Sequence, residues 1–199
     1  VKRSQIHDLM LLSSFHGLLL TGGRDGTTGY DIWEACQDMV VARVSMFGVG
    51  ASTGVGLQVD AGADITLDTV KIYGNTGGGA PAHGVLVKSG IGLKLRGCII
   101  ENSGRSIHLN PSTTQPGGDN QYVWYVELTD CYLDSGTHGL VIDPSGASNH
   151  VYGVTAMNCW FSGHDYYGVQ LTGHASATLK GVSIIGGNVF YNDSMGITV

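Results

Sequence analysis

The sequence predicts an all-β fold, a right-handed parallel β-helix of about seven coils, and three observations lead to this prediction. First, a small residue precedes an apolar–any–apolar triplet seven times, at intervals of 22 to 39 residues, and such periods are typical of solenoids. Second, another strand pattern recurs ahead of each small residue. Third, no segment shows the 3.6-residue apolar period of a helix. The small residues are Gly17, Gly56, Gly84, Ser106, Gly139, Gly168 and Gly196.

The upstream strand pattern is a six-residue segment whose first, fourth and sixth positions are mostly apolar, and we expect these positions to face inward. Its third position is often Asp, Asn or Gly, as is typical of a bend between strands. Each coil therefore has about three short strands, as a triangular parallel β-helix requires, and parallel crossovers are right-handed by strong preference. The clearest segments are residues 95–100, 128–133, 156–161 and 185–190.

Three of the four cysteines occupy one position of this repeat. Cys98, Cys131 and Cys159 each lie eight or nine residues before the small residue, so we expect them to stack in one interior column. Stacked side chains on parallel strands point the same way, which is a poor geometry for a disulfide. The pattern predicts reduced thiols that pack as small apolar groups, and assembly in a reducing cytosol.

Composition and spacing exclude several alternatives. A βαβ sheet would need helices of 10–15 residues between its strands, and an antiparallel sandwich would not repeat turns and cysteines at coil-like intervals. The net charge of −6 and the 13% content of charged residues argue against a nucleic-acid partner. No apolar run is long enough for membrane insertion. Metal-site spacings such as Cys-x-x-Cys are absent, so we expect no metal and no cofactor.

Both the ends and the longer connections of the chain depart from the repeat. The chain begins just ahead of the first coil and stops on a strand. Because open solenoid ends expose unpaired backbone, we expect residues 1–199 to be one β-helix domain, either a piece of a longer polypeptide or covered by another subunit. Long stretches at residues 22–37, 74–83 and 111–121 are expected to carry binding surfaces.

The repeat Met157-Asn158-Cys159-Trp160-Phe161, followed by Gly168-Val169-Gln170-Leu171, resembles those of the pectate-lyase-like right-handed β-helices. Within that group the sparse charge, Gly-rich turns and unpaired cysteines are most similar to bacteriophage tailspikes. The resemblance covers nearly the whole chain but is architectural, so it transfers no catalytic residue. It implies a homotrimer on a virion that binds, and often cleaves, bacterial surface polysaccharide.

Two carboxylates are the candidate catalytic residues. Glu101 and Asp134 lie three residues beyond the cysteine column in consecutive coils, where side chains should point outward. Adjacent strands are about 4.8 Å apart, close to the carboxyl separation of retaining glycosidases, and modest splaying would reach inverting distances. Mutual repulsion would raise one pKa, as a general acid requires. The alternative is a pair of solvated carboxylates at a turn edge.

A second outward column supplies candidate substrate-binding residues one position before the small residue. His83, Arg105 and His138 come from three consecutive coils. Imidazoles titrate near neutral pH, and Arg binds a carboxylate or sulfate through two parallel hydrogen bonds. On a uronate substrate, Arg105 and a His would support lyase chemistry. The alternative is local pairing with Glu101 or Asp134.

A third outward column contains aromatic rings. Tyr132 and Trp160 are adjacent in it, and Val189 follows them in our alignment. The two rings suit either stacking on a sugar or burial against a sister subunit. His164 and Asp165 are expected to project from the turn after Trp160 and to join a groove there.

These observations favour a phage tailspike that recognises a host polysaccharide and cleaves it as a glycoside hydrolase. Glu101 and Asp134 would be the acid and its partner. Arg105, His83 and His138 would position the sugar. We expect assembly in the host cytoplasm and a final location on the virion tail. Two alternatives stay open at this point: a trimerisation shaft without catalysis, and a secreted polysaccharide lyase.

Overall fold

The structure, a computed structural model, describes residues 4–12, 16–20, 36–50, 53–74, 80–111 and 122–199. In these residues the chain winds through seven coils, and strands of successive coils pair in parallel to form three long sheets. The predicted right-handed parallel β-helix is confirmed. None of the described residues forms a helix with the length and apolar character needed to cross a membrane.

The first sheet carries the longest strands and is called sheet 1. Its strands in the described residues are β1 (Gln5–His7), β4 (Cys36–Gln37), β5 (Val40–Ala42), β8 (Gly62–Ala63), β9 (Thr66–Asp68), β12 (Gly90–Arg96), β15 (Tyr122–Thr129), β18 (His150–Met157) and β21 (Thr178–Ile185).

Sheet 2 follows sheet 1 within each coil and is made of short strands. They are β2 (Met10–Leu12), β6 (Ser45–Val49), β10 (Lys71–Gly74), β13 (Ile99–Glu101), β16 (Tyr132–Asp134), β19 (Trp160–Ser162) and β22 (Asn188–Phe190).

Sheet 3 completes the coil and contains the glycine-led triplets. Its strands are β3 (His16–Leu20), β7 (Val55–Val59), β11 (His83–Val87), β14 (Arg105–Leu109), β17 (His138–Ile142), β20 (Tyr167–Leu171) and β23 (Met195–Thr198).

Left-handed backbone positions turn the chain from sheet 1 into sheet 2. In seven successive coils one residue at this corner has a φ between +52° and +64°. Gly, Asn and Asp tolerate this conformation best, which explains their frequency at the third position of the upstream segment. The bend predicted there is confirmed. The corner residues are Asp8, Arg43, Thr69, Gly97, Asp130, Asn158 and Gly186.

The cysteine column lies in the apolar interior, as predicted. Cys98, Cys131 and Cys159 are free thiols with at most 2% of their surface exposed. The hydrogen bond with Cys131, together with burial, raises the pKa of Cys159. The column therefore packs as buried, free cysteines between the apolar ladders of the three sheets.

The alignment of the last coil is wrong by one residue. Trp160 pairs with Asn188, and Phe161 pairs with Val189, so Val189 faces the core and does not continue the outward aromatic column. Met157 also pairs with Ile185, so Gly186 is the counterpart of Asn158 and Gly187 that of Cys159. Both glycines have a positive φ. A spacing of nine residues to the next small residue also fits Gly187.

The small residue that opens each triplet is required by close packing at the start of sheet 3. At Gly56 an added Cβ would lie 2.6 Å from Cγ2 of Ile72 and 2.7 Å from the carbonyl oxygen of Gly84. Real Cβ atoms do not approach other atoms so closely. Glycine therefore recurs here because the backbone of one coil touches the interior side chains of sheet 2.

Candidate functional site

The outer face of sheet 2 brings the two candidate carboxylates together. Glu101 and Asp134 are direct partners in the pairing of β13 with β16. Their neighbours Ile100 and Leu133 are fully buried, so the alternation of the strands directs both carboxylates outward. The structure confirms that they lie side by side; their catalytic role stays a prediction.

Hydrogen-bond donors surround Asp134. The Ser162 hydroxyl donates to its Oδ1 at 2.6 Å, and the Ser135 hydroxyl donates to its Oδ2 at 2.8 Å. Ser162 also accepts a hydrogen bond from Nε1 of Trp160 at 2.6 Å, so its own proton is directed to Asp134. An ionised carboxylate only accepts hydrogen bonds, and these contacts suit that form and hold it in one orientation.

Glu101 lies in a different electrostatic environment. Burial, and then the neighbouring Asp134 carboxylate, raises the pKa of Glu101 above its ordinary 4.5. Burial and the Glu101 charge likewise raise the pKa of Tyr73, its partner on β10. A carboxyl with a raised pKa beside a carboxylate held by donors is the arrangement that divides acid and base roles between two side chains.

We expect the Asp134→Asn substitution to lower the pKa of Glu101, because it removes a neighbouring negative charge. Carbon-13 NMR titration of the Glu101 carboxyl would measure this. Because the folded state binds this proton more tightly, the contribution of Glu101 to stability is complete below pH 4.5 and is lost as the pH rises through its folded pKa.

The control for this titration is Asp60→Asn, which changes a carboxylate that pairs with Lys88 on the sheet 3 side. It should leave the pKa of Glu101 unchanged. A Glu101 pKa at or below 4.5 in the wild type, or one that does not respond to Asp134→Asn, would contradict the assignment.

The rings of Tyr132 and Trp160 stack on each other. Their centroids are 5.5 Å apart with an interplanar angle of 28°, and Phe190 meets Trp160 edge-on at 4.6 Å. Faces turned toward neighbouring rings are less open to a sugar. Sugar stacking stays a prediction for this pair, while the contacts of Trp160 give it a second role, orienting Asp134 through Ser162.

The second group of predicted residues lies on another face. His83, Arg105 and His138 are register partners on β11, β14 and β17, on the outer face of sheet 3. Among the described residues, no hydrogen bond or ion pair joins them to Glu101 or Asp134. Residues 102–104 separate the two faces, so a bound glycan would have to cross this corner. The alternative interpretation, local pairing with Glu101 or Asp134, is therefore not observed in the part of the chain that the structure describes.

Some functional candidates depart from the sequence predictions. His164 does not project from its turn: it is 1% exposed, and its Nδ1 lies 2.9 Å from Oδ1 of Asn192. Ser162 was missed, although it is the register partner of Asp134 in the next coil. His108 was also missed, although it is the middle residue of a triplet and therefore faces outward.

The connections expected to carry binding surfaces fall mainly outside the described residues, at 22–35, 75–79 and 112–121. In the part of the chain that the structure describes, no group of His, Cys, Asp and Glu side chains is arranged to hold a metal ion.

Comparison with known families gives one match. The model described as a right-handed β-helix region matches residues 4–189. The chain belongs to the right-handed β-helix family. No curated protein matches the chain. Membership of the β-helix family agrees with the three parallel sheets. It does not specify an activity, which depends on the side chains of the outer faces.

Proposed function

We propose that this protein binds a bacterial surface polysaccharide and hydrolyses it on the outer face of sheet 2. The β-helix family is common among proteins that act on polysaccharides. The observation that carries the proposal is the in-register pair of Glu101 and Asp134, whose environments differ. Two carboxyl groups in unlike environments are what glycoside hydrolysis requires.

In the proposed reaction Glu101 is the general acid. It protonates the glycosidic oxygen as the bond from that oxygen to the anomeric carbon breaks. The Asp134 carboxylate attacks the anomeric carbon and forms a glycosyl ester. Glu101, now ionised, removes a proton from water, which hydrolyses the ester and releases Asp134. Strands about 4.8 Å apart favour this retaining course.

The surroundings of the pair support these roles. Ser162 and Ser135 hold the two oxygens of Asp134, and Trp160 fixes Ser162. Burial and the adjacent charge keep Glu101 protonated to higher pH than an isolated glutamate. A fixed nucleophile and a poised acid shorten the rearrangement needed to reach the transition state.

The setting we propose is a trimeric phage tailspike, assembled in the host cytoplasm and carried on the virion tail. One support for this setting is the interior column of free cysteines, which suits a reducing compartment. The other is the low content of charged residues, 13% of the chain, which is similar to that of tailspikes. Light scattering should give the mass of a trimer, and a monomer would contradict this setting.

The experiment that tests the activity is a reducing-end assay on purified capsule and lipopolysaccharide preparations. We expect new reducing ends, and proton NMR of the first product should show the anomeric configuration of the substrate. Ultraviolet absorbance from an unsaturated sugar would instead indicate elimination. Binding without new reducing ends on any preparation would overturn the hydrolase and leave a binding protein.

A further inference from the structure

Five buried nitrogen atoms on the outer face of sheet 3 have no hydrogen-bond partner. They are Nδ1 of His83, Nε of Arg105, both ring nitrogens of His108, and Nδ1 of His138. Buried polar groups are almost always satisfied by protein, water or a ligand. Such a concentration of unsatisfied nitrogen atoms on three adjacent strands requires an explanation.

These side chains form one continuous cluster. Arg105 lies between its register partners His83 and His138. His108 is on the same strand as Arg105, and its ring centroid is 4.9 Å from that of His83. His108 is only 3% exposed, whereas the other three are half-buried. The cluster is therefore accessible from outside and has a buried imidazole at its base.

The positive charge of the cluster is only partly offset by the described residues, since the Asp143 carboxylate interacts with the Arg105 charge without pairing directly with it. The carboxylate nearest to His108 belongs to Asp143, and its Oδ2 is 3.9 Å from Nε2, beyond hydrogen-bond range. Asp60, farther along the sheet, pairs with Lys88 at 3.3 Å. Among the described residues no carboxylate forms an ion pair with Arg105.

Burial and nearby charge also determine the protonation of the imidazoles. Burial, then Arg105 and Lys88, lowers the pKa of His83 to about 4. Burial, then His83, Arg105 and His138, lowers the pKa of His108 to about 3. At neutral pH each ring is therefore uncharged and offers one N–H donor, while Arg105 keeps its charge.

Such a cluster suits an anion better than other ligands. A metal ion would be repelled by the guanidinium in the centre of the group. A neutral sugar would satisfy the donors but would form no ion pair with Arg105. A carboxylate, sulfate or phosphate accepts several hydrogen bonds and pairs with the guanidinium.

We propose that the outer face of sheet 3 binds an anionic group of the glycan, a carboxylate, a sulfate or a phosphate, through Arg105 and His108, with His83 and His138 on either side. The inference that this group belongs to the substrate rests on the proposed function. β13 ends at Glu101 and β14 begins at Arg105, so an acidic glycan would be held one corner away from the carboxylate pair. The substrate class is then an acidic polysaccharide.

The test measures anion binding directly, without turnover. Nitrogen-15 correlation spectra of the histidine rings follow titrations with glucuronate, inorganic sulfate and inorganic phosphate, with glucose as the neutral match for glucuronate. We expect saturable shifts in the rings of His83, His108 and His138 with at least one anion and none with glucose. The anion that binds identifies the acidic group.

Two variants test the residues themselves. Arg105→Gln should weaken binding about tenfold or more, because it removes a charge-assisted hydrogen bond. Arg96→Gln changes an exposed arginine on sheet 1 and should have no effect. His108→Leu should fold, since its register neighbours in the same row are Leu86 and Val141, and should also lose binding.

The possible outcomes distinguish failure of the anion site from failure of the proposed hydrolase activity. No saturable shift with any of the three anions, or equal binding by Arg105→Gln and Arg96→Gln, overturns the anion site even if hydrolysis is found. Asp134→Asn should bind the anion as the wild type does, so anion binding without hydrolysis supports the site and counts only against the proposed catalysis.

Discussion

The Glu101→Gln variant should lose about 10²- to 10⁴-fold in kcat on the cleaved polysaccharide, the range expected when a general acid is removed. Glutamine keeps the size of the side chain but has no proton of suitable acidity to give to the leaving oxygen. The measurement is the initial rate of reducing-end formation, at saturating and at low substrate.

Asp134→Asn should be at least as damaging, because an amide does not form the glycosyl ester. The Oδ1 of asparagine can still accept a hydrogen bond from one of the two serines, Ser162 or Ser135, and its NH2 group can donate to the hydroxyl of the other, so the fold should persist. Circular dichroism and thermal unfolding would check this. Single-turnover experiments should show no covalent intermediate in this variant.

Matched controls lie on other faces of the same solenoid. Glu127→Gln changes a glutamate on β15 of sheet 1, and Asp60→Asn changes an aspartate near sheet 3; both should keep wild-type rates. If Glu101→Gln and Asp134→Asn also retain wild-type rates, the carboxylate pair is not catalytic and the proposal fails.

The Phe161→Ala substitution should have the largest effect on stability. Phe161 is 1% exposed and lies between Leu133 and Val189 in the interior ladder of sheet 2. Removing a buried phenyl ring costs about 3–5 kcal/mol of unfolding free energy, through lost apolar burial and the cavity that remains. Urea unfolding followed by circular dichroism would measure the change.

The position of Phe161 in the solenoid increases the expected consequence. In repeat proteins each coil is stabilised by its neighbours, so the next coil, residues 178–199, depends on packing against the coil that contains Phe161. Proteolysis should therefore cleave this coil in the variant sooner than in the wild type.

The control is Tyr191→Ala, which removes an aromatic ring that is 83% exposed. It should change the unfolding free energy by less than about 1 kcal/mol. A comparably small loss in Phe161→Ala would show that the interior ladder of sheet 2 does not determine stability.

The sequence was sufficient for the fold because the repeat is local and redundant. Each coil restates the same alternation, so the interior position of Cys98, Cys131 and Cys159 follows from spacing alone. The alignment of the last coil was wrong because Gly186 and Gly187 both adopt a left-handed backbone, and the segment 185–190 placed the corner at Gly187 instead of Gly186.

The side-by-side placement of Glu101 and Asp134 could also be predicted, since in-register pairing converts a sequence interval into a strand spacing. Their division of roles could not. It depends on Ser162, a register partner from the following coil, and on Trp160, whose indole nitrogen fixes that serine.

By itself the sequence determined the coil, its inward and outward columns, and the neighbours within each column, because a period in the chain becomes a stack in space. Only the tertiary structure decided which side chains face one another across a corner and how deeply each is buried. It placed Arg105 on a different face from Glu101 and Asp134, and it buried both ring nitrogens of His108 without a hydrogen-bond partner. The physical reason is that burial and hydrogen bonding shift the pKa of a side chain, and both depend on distances between coils that the sequence does not state.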